Sequence, residues 1–412
     1  MTVNDLNRVF NHLDGLRSEA IDLNKAIVPI KALGPSNGGS GEMEKAEFLK
    51  DYLKTIGVTD IKEFPASDSR VPGGLRPNIV ARIPGQVSRT VWILGHLDVV
   101  PEGDLSKWET NPFEAVVKGN RIYGRGTEDN HHAIVTGCLV AKAFNDLGMK
   151  PYYTLGLAFV ADEETGSKYG LQHLLETQPS LFKEDDLIIV PDAGESDSRM
   201  IEVAEKSILW VKFKTLGKQT HASMPANGIN AFKAASHLVV ALEELHEIYA
   251  ERDELFDPPQ STFEPTRKEA NVPNINTIPG EDIFYLDCRI LPNYEIDDVL
   301  KTIRQISDRI EKQFNVKIEI STEQYEQAAP ATDVNSPVVQ ALEKAIKVVY
   351  NVDAHPKGIG GGTVAAFFRR KGLPAAVWST IDDMAHEPNE YDVLDHIVND
   401  AKVFAHICLK KD

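Results

Sequence analysis

The chain has 412 residues, with 44 Lys and Arg against 62 Asp and Glu, a formal charge of −18 at pH 7. Single cores usually stop growing at about 250–300 residues, so this length implies two domains. The acidic balance argues against nucleic acid or an anionic membrane as partner, because both need basic surface; solubility accounts for most of that charge. The three cysteines, Cys138, Cys288 and Cys408, are too few and too widely spaced for a disulfide framework or a Cys-based metal finger.

Residues 1–30 carry a helical apolar period with a polar start, without the apolar core of a signal peptide, and no apolar run spans a bilayer, so a cytoplasmic location is expected. Pro35-Ser36-Asn37-Gly38-Gly39-Ser40-Gly41 breaks the period, and a second helix follows over 42–56. Strands at 78–83, 90–94, 153–160 and 187–190 then alternate with helices after Asp129 and near 170–177. That rhythm predicts an α/β layer whose strands are buried on both faces. It changes after about residue 205, where a strand (208–215), a helix (229–249), a stretch rich in Pro and charge (251–280), a strand (283–291) and a helix (296–314) read as an inserted α+β module. The expected domains are 1–204 and 326–412, forming one catalytic domain, and 205–325, inserted between them. A helix at 337–350, the Gly-rich loop 358–362 and a final strand and helix complete the first domain.

Four short segments, each after an apolar run, concentrate the chemistry. In Gly95-His96-Leu97-Asp98, residues two apart face the same way on a strand. Asp98 is therefore placed to hold the His96 ring in one tautomer while the other nitrogen binds a metal. Alone, such a pair is more often an incidental polar pair at the surface than a ligand pair. In Tyr123-Gly124-Arg125-Gly126-Thr127-Glu128-Asp129-Asn130, taken alone, a helix N-cap by Asp129 is the favoured reading. In Asp162-Glu163-Glu164 three acids meet at a strand's carboxyl end, where repulsion calls for a cation or full solvation. Asp192, in Val190-Pro191-Asp192, ends a further strand, and His386 follows the apolar run 375–381. Open α/β sheets bind ligands at the carboxyl ends of their strands, so these segments should converge in one crevice. Two His and three carboxylates suit two zinc-like ions sharing a bridging carboxylate, with one acid left to act on water. Gly360-Gly361-Gly362-Thr363 precedes a helix, so its N–H groups can receive an anion; a tight connection is the plainer reading.

In this order and spacing, the sequence resembles the M20 metallopeptidases, the group of aminoacylase-1, carboxypeptidase G2, succinyl-diaminopimelate desuccinylase and acetylornithine deacetylase. The likeness runs through Gly95-His96-Leu97-Asp98-Val99-Val100-Pro101, Trp108 with Pro112-Phe113, Gly124 to Asp129, Glu163-Glu164, Asp192, Thr220-His221-Ala222-Ser223-Met224-Pro225, Asn276-Thr277-Ile278-Pro279-Gly280 and His386. It implies a zinc-aminopeptidase-like catalytic domain, with a mostly parallel sheet between helices, and an inserted ferredoxin-like lid that also mediates dimerisation. It implies His96 and Asp192 on one ion, Glu164 and His386 on the other, and Asp129 bridging. The ions are expected to be zinc, with cobalt or manganese accepted by the same ligand types. Asp98 would orient His96. Glu163 would be the general base, taking a proton from a metal-bridging water and passing it to the leaving nitrogen.

In the lid, the resemblance implies that His221 and Asn276 approach the substrate and that the planar fork of Arg289 clamps a carboxylate, with a surface salt bridge as the competing reading. Gly361, Gly362 and Thr363 would hold a further anionic group. One departure stands out: Asp129 is followed by Asn130-His131-His132, where many members carry Met-Lys-Gly. These two histidines are expected behind the ligands or at the helix start, because the metal sphere is complete without them. The expected activity is hydrolysis of the amide bond of a small acidic N-acyl amino acid, of succinyl or acetyl type. A dipeptidase or carboxypeptidase is the alternative. A metal-binding scaffold without catalysis is disfavoured, since neither Glu163 nor any ligand is missing.

Overall fold

The apolar runs pair in one eight-stranded sheet of the computed structural model, which describes residues 3–411. The order is Asp60–Glu63, Ile79–Ile83, Thr154–Val160, Thr90–His96, Leu187–Val190, Ala375–Val377, Met200–Glu205, His355–Ile359. The four central strands, Thr154–Val160 through Ala375–Val377, run parallel; Asp60–Glu63, Ile79–Ile83 and Met200–Glu205 pair antiparallel beside them. Every residue of Thr90–His96 and Leu187–Val190 is buried, as expected of parallel strands covered on both faces. The helix His131–Asp146 is buried almost all round and packs on Thr90–His96 and on the helix Leu394–Leu409.

The chain divides into two compact units. One comprises the residues up to Val203, Thr332–Pro356 and those from Phe367 on; the other comprises Ala204–Ala331 and Lys357–Ala366. In the second unit a four-stranded sheet, ordered Thr262–Lys268, Glu281–Ile290, Ser207–Leu216, Lys317–Glu326, is antiparallel throughout. Helices Ala231–Ala241 and Ile296–Phe314 pack on it, giving a ferredoxin-like module. Glu281–Ile290 alternates by burial, and its inward Phe284, Leu286, Cys288 and Ile290 meet Leu209, Val211 and Phe213 of the neighbouring strand. Among the described residues no helix is long and apolar enough to cross a membrane.

Several elements differ from the sequence reading. The first helix is two, Val3–Asp14 and Arg17–Ile27, and the helix expected over 229–249 is Ala231–Ala241 and Glu244–Ile248. Thr262–Lys268 lies in the stretch that read as Pro-rich loop. It is a mostly exposed edge strand, where a register shift after Pro265 accommodates a residue that cannot donate to a ladder. Lys317–Glu326, the opposite edge, is also mostly exposed and therefore lacks an apolar run. Residues 357–366, expected in the first domain, fall in the second unit. Gly358 N–H donates to Leu255 O (2.7 Å) and Lys206 N–H to Ile359 O (3.0 Å), tying the segment there.

Trp92 is fully buried, donates its indole N–H to Asp186 Oδ2 (2.9 Å), and lies opposite Gly156 in the adjacent strand. A Cβ at Gly156 would stand 2.4 Å from Trp92 Cε3, and the ring is held by its bond to Asp186 and its contact with Phe182 (centroids 4.8 Å apart). Gly156→Ala is therefore expected to lower stability by about 1–3 kcal/mol, the usual cost of overpacking, read as a lower urea midpoint; an unchanged midpoint would show that the strand pair can spread.

Candidate metal centre

Strand order sets the predicted segments side by side. Thr90–His96 lies between Thr154–Val160 and Leu187–Val190, all parallel, so His96, the Glu163-Glu164 turn and Asp192 emerge at one edge of the sheet. Ala375–Val377, beside Leu187–Val190, leads into the segment that carries His386, and Asp129 comes from the loop before His131–Asp146. His96 Nε2 lies 2.8 Å from Asp129 Oδ1 and 3.5 Å from Asp192 Oδ1. His386 Nε2 lies 3.1 Å from Asp129 Oδ2 and 3.1 Å from Glu164 Oε2. The two oxygens of Asp129 thus face two different imidazoles. Ligand atoms of His96, Glu163 and Asp192 lie within 4.8 Å of one another, as do those of His96, Asp129 and Glu164.

Asp98 acts differently from the expectation. The His96 Nδ1–H donates to the backbone carbonyl of Asp98 (2.9 Å), while the Asp98 carboxylate is 3.6 Å away. That carboxylate instead accepts the N–H groups of Glu163 (3.0 Å) and Glu164 (3.1 Å). Asp98 therefore orients the ring through its main chain and aims the two glutamates through its side chain. With Nδ1 protonated, the neutral ring turns the Nε2 lone pair toward carboxylate oxygens, an arrangement that needs a proton or a cation between them.

Residues that the sequence reading did not single out hold these ligands in place. The buried Glu390 carboxylate accepts N–H groups from Gly126 (2.9 Å), Glu128 (3.0 Å) and Asp129 (3.1 Å), and the guanidinium of Arg125 (2.7 Å). In the reverse direction the buried Glu128 carboxylate accepts Asp382 N–H (2.9 Å) and Met384 N–H, two residues before His386. His386 has φ 65°, a left-handed conformation unusual for a residue with a side chain, so its placement depends on such support. Asn130 donates to Pro191 O (2.8 Å) and Asp192 Oδ1 (2.6 Å). Glu128 belongs to the glycine-punctuated segment 123–130 that already draws attention in the sequence. Glu390 had no local signal.

The electrostatics call for a cation. Burial, and then the Asp192 carboxylate, push Glu163 well above the usual carboxylate range. Burial also raises Glu164, and its Oε1 is buried without a hydrogen-bond partner. Burial alone would raise Asp129 too, but His386 and His96 hold it below its usual range. His386 itself is held up at about 10 by Asp129 and Glu164. Part-buried acids that repel one another, with one oxygen, Glu164 Oε1, left without a donor, suit a hard or borderline divalent ion.

The remaining predicted residues lie in the second unit. Ser223 N–H donates to His221 Nδ1 (3.2 Å), and Ala222 N–H donates to Asn276 O (2.8 Å), so His221 and Asn276 are neighbours. Arg289 forms the salt bridge that competed with the clamp: Nε and Nη2 donate to the two oxygens of Asp287 (2.8 and 3.1 Å), and Nη1 donates to Gly360 O (2.9 Å). The turn with Gly361, Gly362 and Thr363 also receives a carboxylate of this chain, since Thr363 N–H and Oγ1–H both donate to Glu205 Oε1 (2.9 and 2.6 Å). Both expected anion receptors thus carry an internal anion.

Glu390→Gln tests the support of the site. It leaves Arg125 buried without a charge partner, so a loss of about 3–5 kcal/mol in urea unfolding is expected, together with weaker metal uptake. Wild-type values for both would refute the assigned role.

Residues 92–410 match the profile of Peptidase family M20/M25/M40. The chain is 44% identical to an uncharacterised metallohydrolase of Methanocaldococcus jannaschii, over 95% of this chain and 99% of that one. It is 26% identical to a succinyl-diaminopimelate desuccinylase of Nitratiruptor sp., covering 90% and 94% of the two chains. Its fold is similar to that of the di-peptidase Dug1p of Saccharomyces cerevisiae, with a TM-score of 0.74 at 18% identity, covering 99% and 98%. With this profile match and these acid- and His-rich ligand groups, the chain belongs to the M20/M25/M40 peptidase family and is a metal-dependent hydrolase.

Proposed function

We propose that the chain hydrolyses the amide bond of a small N-acyl amino acid, of succinyl or acetyl type, at a centre of two zinc-type ions. The observation that carries the two-ion reading is Asp129, whose Oδ1 faces His96 and whose Oδ2 faces His386. In this reading His96 and Asp192 would hold one ion and Glu164 and His386 the other, with Asp129 offering an oxygen to each. Two ions bound there supply a water of lowered pKa and a polarised amide carbonyl.

Glu163 is the acid left over. Its carboxyl sits beside the Asp192 and Glu164 carboxylates, and its backbone N–H is fixed by Asp98. A carboxylate not assigned to either ion suits a base that must accept a proton from the attacking water and then release it. Water oxygen bonds to the amide carbon, the carbon–nitrogen bond breaks, and Glu163 carries the water's proton to the departing nitrogen.

The N-acyl substrate is supported by the likeness to desuccinylases over most of the chain. His221 and Asn276 are assigned to substrate contact. A substrate carboxylate at Arg289 competes with Asp287, and one at Thr363 competes with Glu205, so acidic substrates bind by exchange with internal acids. A homodimer through the second unit belongs to the same reading, supported by the exposed edge strand Thr262–Lys268 and by exposed Phe232 and Val240 on the helix Ala231–Ala241.

Zinc-loaded protein is expected to cleave N-succinyl or N-acetyl amino acids in a panel that includes dipeptides; cleavage of dipeptides alone would overturn the N-acyl reading in favour of a peptidase. Glu163→Gln is expected to cut turnover by about 10²–10⁴-fold while metal content and fold persist, and wild-type turnover in that variant would remove Glu163 from the base role.

A further inference from the structure

His132 stands three residues after the bridging Asp129, in the first turn of the helix His131–Asp146, with its side chain fully buried. Its Nδ1 lies 2.9 Å from Asp392 Oδ2 and its Nε2 lies 2.9 Å from Asp400 Oδ2. Carboxylate oxygens only accept, so both ring nitrogens carry hydrogen and the ring is an imidazolium between two buried anions. The two nitrogens point to opposite partners, so the group spans them as a strut and does not form a metal site of its own.

Its two partners bracket the segment that delivers His386. Asp400 also accepts the N–H and hydroxyl of Thr380 (2.7 and 2.8 Å) and the hydroxyl of Tyr350 (2.5 Å), which fixes the segment where it leaves the strand Ala375–Val377. Asp392 lies in the short strand Tyr391–Val393, two residues beyond Glu390, and fixes the segment where it returns. One imidazolium therefore ties both ends of the stretch between Thr380 and Asp392 to the helix turn directly behind Asp129. Pinning both ends of a short chain restricts what lies between them, and here that includes His386 and the Asp382 and Met384 N–H groups bound by Glu128.

We propose that His132 is a positioning residue, an internal strut that sets the distance between the bridging carboxylate of Asp129 and the imidazole of His386. The proposal rests on the two-ion reading above. Removing the strut would loosen the ion shared by Asp129, Glu164 and His386. The ion on His96 and Asp192 would be spared, because those ligands are held by Asp98, Asn130 and the central strands.

The test is calorimetric titration of metal-stripped protein with zinc, comparing wild type, His132→Gln and His386→Ala, the last marking which binding step belongs to His386. Wild type is expected to take up two ions per chain. His132→Gln is expected to bind the His386 ion about 10–100-fold more weakly, the usual cost of losing a group that orients a ligand, and to leave the other step unchanged. The ratio of the two affinities separates positioning from general loosening. Equal weakening of both steps, or of neither, in a folded variant would overturn the proposal. If His132→Gln does not fold, Asp392→Asn is titrated instead, since it keeps an acceptor for Nδ1–H and removes only the charge. The same selective weakening, smaller in size, is expected of it, and an unchanged ratio overturns the strut. Wild-type protein that takes up fewer than two ions would refute the two-ion reading itself, a result distinct from an unchanged ratio.

Discussion

The site depends on a reciprocal grip between two buried glutamates. Glu390 holds the backbone N–H groups of the loop that ends in Asp129, and Glu128 of that loop holds the backbone N–H groups of the segment that leads to His386. The partners lie 261 residues apart in sequence for Glu390 and Asp129, so no local propensity brings them together. Hydrogen bonds from N–H groups to an ionised carboxylate are among the stronger ones available to a protein. The two glutamates fix two loops against each other, and the candidate ligands Asp129 and His386 ride on those loops.

That arrangement carries an electrostatic cost that the rest of the first unit offsets. Burial pushes Glu128 and Glu390 up to about 7, and raises Glu163 and Glu164 as well. Arg125 lies on Glu390, and Arg76 lies on Glu42 and 3.4 Å from both Asp68 and Asp162. Behind the ligands Lys45 is buried 2.8 Å from His131 Nε2, and burial brings its pKa down to about 7. His131 and His132, adjacent in sequence, are thus opposites: burial and Lys45 keep His131 neutral, whereas Asp392 and Asp400 overcome burial and hold His132 up at about 10. Even so, the Glu164 oxygen without a donor remains, which is why a bound cation belongs to the physical description of the site.

Much of this was legible in the sequence, because apolar runs ending in His, Asp and Glu report strand ends in a parallel sheet, and strand ends in such a sheet share an edge. The convergence of His96, the Asp162-Glu163-Glu164 turn and Asp192 follows from that rule; that Asp162 turns away to Arg76 and the Tyr169 N–H does not. His386 required only a further apolar run, 375–381. What stayed hidden was long-range or polar. Glu390 sits in a stretch with no periodicity, and the strand Met200–Glu205 contains Glu202, whose partner Arg369 is distant in sequence. The role of Asp98 was half legible: spacing placed it beside His96, but spacing cannot tell a carbonyl from a carboxylate. Arg289 and Thr363 read as anion receptors because of their chemistry, and they do bind carboxylates, but those of Asp287 and Glu205.

Parallel pairing of Thr90–His96 with both of its neighbours has a consequence for how chains of this kind can diverge. Strand register has a period of two, so an inserted or deleted residue inside Thr90–His96 would turn His96 to the opposite face, and one inside either neighbour would displace the turn that carries Glu163-Glu164 or Asp192. A change of length is therefore easier to absorb at the amino ends of the strands, where the turns carry no candidate ligand, than between those turns and the carboxyl ends. The sheet acts as a ruler whose graduations are residues, and inheritance can lengthen the handle but not the scale.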